Sequence, residues 1–325
     1  MNPRTRAALL DEPGGAPRIG ERDVLPPVGD QVLVRVAAAP ITPLDRLCAT
    51  GRSYFGPPAT PYVPGVQGVG TVEAGPIPAG SPVWFATTAG MQPGDGSMRS
   101  MVVADLRDVV VLPAGADPVL VGALGLSAVA AWMAMTDPGE LTAGDRVLVL
   151  GAGGVVGQAG IQLARSAGAA RVTAVARSAA AREQALRLGA DAAVAIEPSD
   201  DVDSLAARMA AATDGPVDLV LDPLFGVPAA AAARNLRGGG RLVNLGSSAG
   251  ETSPIDSSTI RSRQLQIRGY TNNALTVEQR RGALTHVVAE VVAGRLTVDH
   301  QRIPLADVAQ AWDRSGPRVV LVPQG

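Results

Sequence analysis

The chain contains no lysine: all 28 of its basic residues are arginine. That absence excludes Schiff-base chemistry, the lysine of a P-loop, and the Tyr-x-x-x-Lys pair of short-chain dehydrogenases. Cys48 is the only cysteine, so no disulfide can form within the chain and a reducing compartment is the expected setting. Histidine occurs only at His286 and His300, each isolated from cysteine and carboxylate ligands, which favours structural roles. Aromatic residues are 3% of the chain and leave few landmarks for a substrate pocket. The net charge of -2, with no basic stripe of interleaved aromatics, argues against a nucleic-acid partner. The first twelve residues carry Arg4, Arg6, Asp11 and Glu12 and no apolar signal core, so a cytoplasmic location is expected. Residues 118–135 and 147–164 are uncharged runs of about 18 residues, the lower limit for crossing a bilayer. Gly151, Gly153 and Gly154 should turn the second run, and the Gly, Ala and Ser of the first suit a buried helix. No membrane association is expected.

What is present is enough apolar material, 46% of 325 residues, for two modest cores, and two domains are expected. Residues 31–37 (QVLVRVA) alternate apolar and polar side chains between Pro and Gly clusters, the pattern of half-buried strands joined by turns. Residues 57–64 and 90–96 read as loops. From about residue 119, short apolar runs alternate with Ala- and Arg-rich helical stretches. Strands are expected at 147–150, 172–176, 193–196, 217–221 and 242–245, with helices beginning near Gly154, Ala179, Asp203 and Pro228. Such alternation predicts a parallel sheet with right-handed crossovers, and a strand at 265–268 brings the count to six, that of a doubly wound dinucleotide fold. A helix over 276–293, a short helix near 306–312 and a last strand at 318–321 follow. That strand has no place left in the sheet and should return to the first domain. The expected class is α/β: a β-rich domain of residues 1–118 and 274–325, and a doubly wound parallel-sheet domain of residues 119–273.

The chain runs strand, glycine turn and helix through Val147-Leu148-Val149-Leu150, Gly151-Ala152-Gly153-Gly154 and Val155-Val156-Gly157. Glycines there admit a pyrophosphate close to the backbone, and the free N–H groups of the helix start hold its charge. The bland alternative, in a chain with 38 glycines, is a tight strand-to-helix connection. The order of elements favours a dinucleotide site at Gly151, Gly154, Val155, Val156 and Gly157. The next strand ends Ala176-Arg177-Ser178, without the carboxylate that would accept from a ribose 2′-hydroxyl. Arg177, Ser178 and Arg182 can donate to a 2′-phosphate instead, which points to NADPH. Otherwise the two arginines are solvated residues at a helix start.

These segments together resemble the quinone oxidoreductase and enoyl reductase branch of the medium-chain dehydrogenase/reductase superfamily. Gly144-Asp145, Leu148, Ala152-Gly153-Gly154, Gly157, Gln162 and Arg165 fall in register with its nucleotide motif, with Val155 where that branch has a further glycine. Residues 31–46 resemble its strand and active-site loop, and Pro64-Gly65-Val66-Gln67-Gly68-Val69-Gly70 its Pro-Gly-x-x-Gly-x-Gly strand. Gly125-Leu126-Ser127-Ala128 resembles the segment at the nicotinamide end; Asp222-Pro223-Leu224 and residues 240–246 match later loops and strands. The resemblance implies a GroES-like catalytic domain beside a Rossmann domain, and a homodimer pairing through the strand near Leu265. It also implies cofactor contacts at Ser127, Asp222, Pro223, Leu245, Gly246 and Ser247. The zinc-dependent branch has a Cys where this chain has Thr42 and a His where it has Val66, and the four-cysteine zinc lobe is missing. The chain is therefore identified as a zinc-independent member.

Without a Lewis acid to hold an alkoxide, simple alcohols are poor substrates, which favours quinones and the activated C=C of α,β-unsaturated carbonyls. The implied active-site residues are Thr42, Asp45 and Tyr54. Tyr54 either donates a proton to the substrate oxygen or serves as a wall on which a flat substrate stacks, the proton then coming from water. Asp45 either takes part in the chemistry or caps a turn. Met91, Met98 and Met101 border a glycine-rich loop and either form an adaptable lid or fill core gaps; Trp84 and Phe225 read as core. A ketone or aldehyde reductase, and a non-catalytic NADPH-binding protein, are the alternatives.

Overall fold

Two charged segments, β1 (Arg4–Leu9) and β2 (Arg18–Asp23), pair first as an antiparallel ribbon. The structure, a computed structural model, describes residues 3–323, which divide into two units. One comprises the residues up to Gly125, Leu284–Val292 and the segment from Val298; the other comprises Leu126–Ala283 and Ala293–Thr297.

The first unit contains β3 (Gln31–Pro40), α1 (Pro43–Ala49), β4 (Gln67–Ala74), β5 (Pro82–Ala86), β6 (Met101–Asp105) and β7 (Val109–Val111). The alternation at 31–37 does what period two dictates: Val32, Val34 and Val36 are fully buried, in a core shared with Val72, Val83, Phe85 and Met98. One element of this unit was not expected. The residues after β3 form helix α1 rather than a loop, because Pro43 opens the helix and Thr42 and Asp45 cap it. Of the three methionines near the glycine-rich loop, Met91 lies half-buried in a turn, while Met98, fully buried, and Met101, in β6, take core and strand positions. Trp84 is fully buried as well.

Helix α2 (Pro118–Thr136) is long and apolar enough to cross a membrane by length and composition, with 61% of its apolar window buried within the protein. Its backbone breaks at Gly125, where φ is 26° and ψ is -124°, so it is two shorter helices end to end. A Cβ at this position would lie 2.0 Å from Gln67 Oε1, which leaves glycine as the residue that fits.

The second unit alternates β8 (Arg146–Leu150), α3 (Val155–Ser166), β9 (Arg171–Ala176), α4 (Ala179–Arg187), β10 (Ala192–Ala195), α5 (Val202–Thr213), β11 (Val217–Asp222), α6 (Gly226–Ala233), β12 (Leu236–Asn244), α7 (Ser257–Arg263) and β13 (Gln266–Gly269). All the strand pairs are parallel, and the six strands stand in the order β10-β9-β8-β11-β12-β13, that of a doubly wound sheet. β8 and β11 occupy the middle, and their apolar stretches Leu148-Val149-Leu150 and Leu219-Val220-Leu221 are fully buried, as in strands covered on both faces. Close packing of α3 on the sheet rests on Gly160, whose added Cβ would lie 2.5 Å from Leu221 Cδ2.

Helix α8 (Val277–Val292), β14 (His300–Pro304), α9 (Val308–Ala311) and β15 (Arg318–Val322) complete the chain. β15 lies antiparallel to β3, through Val320 opposite Pro40 and Leu321 opposite Ala39, and so joins the first unit. His300 begins β14, which pairs in parallel with β15; its Nδ1 lies 2.9 Å from the Val298 carbonyl. The resulting seven-stranded sheet runs β14-β15-β3-β4-β5-β7, with β6 beside β3.

Candidate functional site

The parallel order delivers four loops to one edge of the six-stranded sheet. β8 feeds a chain that continues to β9 on one side, while β11 lies on the other, and a crevice opens where the connections diverge. The turn leaving β8 begins at Gly151 with φ of +66°. Gly157 is demanded by the protein itself, since a Cβ would come within 2.4 Å of the Gly151 carbonyl oxygen. Gly154 differs: its added Cβ would meet nothing closer than 3.6 Å, so the fold does not require glycine there. Gly154 is exposed and caps α3 with φ of -86° and no side-chain bond to the helix. The first-turn N–H groups, from Val155, Val156 and Gly157, have no intrahelical acceptor and carry the positive end of the helix dipole. Val155 is 8% exposed, so its side chain does not crowd the exposed Gly153–Gly154 face. This is a cradle fitted to a dinucleotide pyrophosphate.

At the end of β9, Ser178 caps α4 by accepting from Ala181 N at 3.2 Å. Arg182 folds back on the corner, donating to the carbonyls of Ala176 (3.3 Å) and Arg177 (2.6 Å). Arg177 is exposed, and among the described residues its guanidinium makes no hydrogen bond or ion pair. Of the two arginines, Arg182 braces the corner and Arg177 has its guanidinium available to an incoming anion.

Asp222, the last residue of β11, is fully buried. Its Oδ1 accepts from the N–H groups of Leu224 (2.9 Å) and Phe225 (2.8 Å), and its Oδ2 accepts from Asn244 Nδ2 at 3.0 Å. Burial pushes the carboxyl above the ordinary range, and these hydrogen bonds pull it back in part. Asp222 is therefore not placed to touch a cofactor: it shapes the turn that follows. Asn244, within the flagged segment 240–246 but not singled out there, ties β12 to β11 by its bond to Asp222 and donates also to the Gly246 carbonyl at 2.8 Å. Pro223, Leu245, Gly246 and Ser247 are all half-buried on this edge. Ser127 lies half-buried in the second half of α2, outside the four loops. Gln162 clamps α3 to residue 297, donating to the Thr297 carbonyl at 2.8 Å and accepting from its N–H at 3.0 Å.

In the first unit the structure brings Thr42 and Asp45 together as a buried pair. Asp45 is 2% exposed, and its Oδ2 accepts from Thr42 N (2.8 Å) and Thr42 Oγ1 (2.6 Å) while its Oδ1 accepts from Val66 N at 2.8 Å. Thr42 Oγ1 in turn accepts from Asp45 N at 3.2 Å. Both side chains are committed to a capping box, which corrects their expected part in the chemistry: they build α1 and fasten it to residue 66. Burial raises the Asp45 carboxyl above its ordinary range, against the bonds from Thr42 and Val66 and the nearby charge of Arg318.

Asp45→Ala should cost about 2–3 kcal/mol of stability, because it orphans buried donors. A raised carboxyl favours the folded state below its ordinary value of 3.8 and loses that contribution as pH rises through the folded value. The gap between wild type and Asp45→Ala should thus widen from neutral pH toward about 4. Urea unfolding at both pH values checks this; a gap that narrows on acidification contradicts it. Tyr54 is 76% exposed and stacks on Phe55, with ring centroids 4.2 Å apart and planes at 37°.

The described residues contain no group of three His, Cys, Asp or Glu side chains able to hold a metal ion. Cys48 is fully buried, while Thr42 and Val66 offer no ligand, so a catalytic zinc does not fit this donor set.

A family model described as zinc-binding dehydrogenase matches residues 155–289. The quinone oxidoreductase of Lama guanicoe is 27% identical, over 95% of this chain and 92% of that protein. The mitochondrial enoyl-[acyl-carrier-protein] reductase of Arabidopsis thaliana is 26% identical, over 97% and 86%. A phenolphthiocerol/phthiocerol polyketide synthase polypeptide of Mycobacterium tuberculosis is 29% identical over 98% of the chain, which spans only 15% of that protein's length. A mycobacterial protein solved in complex with NADPH shares the fold with a TM-score of 0.84 at 22% identity, over 98% of this chain and 100% of that one.

Proposed function

We propose that this chain, a member of the medium-chain dehydrogenase/reductase superfamily of pyridine-nucleotide-dependent oxidoreductases, is an NADPH-dependent, metal-free reductase of quinones or of the activated C=C bond of α,β-unsaturated carbonyls. The observation that carries the reading is Arg177: an exposed, unpartnered guanidinium at the end of β9, where a ribose 2′-phosphate needs a bidentate donor. Bound NADPH would supply the hydride. The N–H groups of residues 155–157 would hold the pyrophosphate and the loops at 177–178, 223 and 245–247 would align the nucleotide, with Ser127 added by the resemblance. Val66 and Thr42 cannot anchor a Lewis acid for an alkoxide, which leaves acceptors already activated by conjugation as the substrates. The names of the quinone oxidoreductase and enoyl reductase relatives support the same substrate class.

Exposed and backed by Phe55, Tyr54 is the wall of the substrate site, with the proton taken from water. Tyr54→Phe should therefore retain at least about a tenth of the wild-type kcat/KM. A loss beyond about a thousandfold, more than one donor accounts for, would make Tyr54 the proton donor. Steady-state kinetics with an enone or quinone, before and after dialysis against a chelator, tests both points. A rate that falls with metal removal contradicts the metal-free reading.

A further inference from the structure

Phe225 stands in a backbone conformation, φ 57° and ψ -152°, that belongs almost solely to glycine. The other described non-glycine residues with positive φ are Glu140, Asp214 and Gln264, and Asp214 and Gln264 have the ordinary left-handed form, with ψ of 47° and 45°. Three contacts hold Phe225 there. Asp222 Oδ1 takes the N–H groups of both Leu224 and Phe225, Phe225 bridges to Gly250, and Ala249 N donates to the Leu224 carbonyl at 2.8 Å. The turn so held lies against the nucleotide cradle: a Cβ on Gly151 would meet Pro223 Cγ and Leu224 Cδ2, both at 3.1 Å.

We propose that residues 222–226 form a strained positioning device for the nucleotide, in which the Asp222 carboxylate holds Phe225 in a glycine conformation and thereby fixes Pro223 and Leu224 as the wall of the Gly151 turn. Asp222 and Phe225 are positioning residues: they act on the cofactor through the shape of that turn. A residue in this region is kept only where its surroundings over-determine it, and strain of this kind gathers where a site must be pre-organised. Asn244, donating to Asp222 Oδ2, supports the lock from β12. The inference rests on reading the glycine turn as a nucleotide cradle.

Two measurements test it. The first needs no ligand: Phe225→Ala removes the ring and keeps the strain, whereas Phe225→Gly removes both. Phe225→Gly should melt at least about 2 °C above Phe225→Ala, the reverse of the usual order of the two residues. The second is the Kd for NADPH, read from intrinsic fluorescence. Asp222→Ala should weaken binding at least about tenfold. Adding Phe225→Gly to it should recover at least threefold of that loss, because the relaxed backbone no longer needs the carboxylate to hold the turn. Phe225→Gly melting no higher than Phe225→Ala overturns the strain, and that comparison stands even if Asp222→Ala does not fold. A double variant that binds no better than Asp222→Ala overturns the positioning role. Wild-type protein that binds neither NADPH nor NADH overturns the cradle reading itself, and the positioning role with it.

Discussion

Arg177→Ala is expected to weaken NADPH binding about 10- to 100-fold and to leave NADH binding within about threefold. The size follows from charge-assisted, bidentate bonds to a phosphate, each set contributing about 1.5–3 kcal/mol where an ordinary hydrogen bond contributes about 1. The selectivity follows from geometry. Arg182 donates to the carbonyls of Ala176 and Arg177, so it cannot take over without releasing the corner it braces, whereas the Arg177 guanidinium has no bond among the described residues to lose. For the same reason Arg177→Ala should leave thermal stability unchanged, and Arg182→Ala should lower it. Arg177→Glu should invert the preference, since a carboxylate can accept from a 2′-hydroxyl and repels a phosphate. Nucleotide titrations of the three variants decide this; equal losses for NADPH and NADH in Arg177→Ala would remove Arg177 from the 2′-phosphate site.

Gly154→Ala and Gly157→Ala are expected to fail in opposite ways. The alanine methyl at residue 157 would come within 2.4 Å of a backbone oxygen and 2.6 Å of the Ala152 Cα, neither of which can swing aside. That variant should lose about 1–3 kcal/mol of stability and its nucleotide affinity along with it. At residue 154 the methyl meets nothing closer than 3.6 Å, so the free protein should unfold within about 1 kcal/mol of wild type. The methyl nevertheless stands on the exposed face of the turn, where the pyrophosphate must approach the N–H groups, and NADPH should bind at least about tenfold more weakly. Denaturant melts of the free proteins together with nucleotide titrations separate the two effects. Wild-type affinity in Gly154→Ala would contradict the cradle; wild-type stability in Gly157→Ala would contradict the packing assigned to that turn.

The parallel sheet was readable because its strands are short apolar runs set between glycines and helix starts: β8, β9 and β11 lie within a residue of where the pattern placed them. β2 was not readable. Its sequence, RIGERD, is mostly charged, and it is held at the edge of a ribbon by pairing with β1 and by exposed ion pairs of Arg4 with Glu21 and Asp23. α7 and β14 escaped because they are short and polar: α7 is held by the cap of the adjacent Asp256, and β14 is a strand through its pairing with β15. In the candidate site, residue type was legible and burial was not. An aspartate after an apolar strand reads alike whether it faces a ribose or, as Asp222 does, has both oxygens bonded within the chain. Asp45 carried the signal of its true role, the Thr-x-x-Asp spacing with Pro43 between, and the burial of both partners decides for the cap. Phe225 could not have been foreseen: positive φ is assigned from sequence to glycine and asparagine, and only the backbone shows a phenylalanine in that place.

The most direct test of the reductase reading is to follow NADPH and NADH consumption in parallel with a small set of quinones, enones and aldehydes, in the presence of EDTA. The expected result is turnover with a quinone or enone that prefers NADPH and is indifferent to the chelator. Tight binding of both nucleotides with no consumption against any acceptor, or turnover that the chelator abolishes, would contradict it.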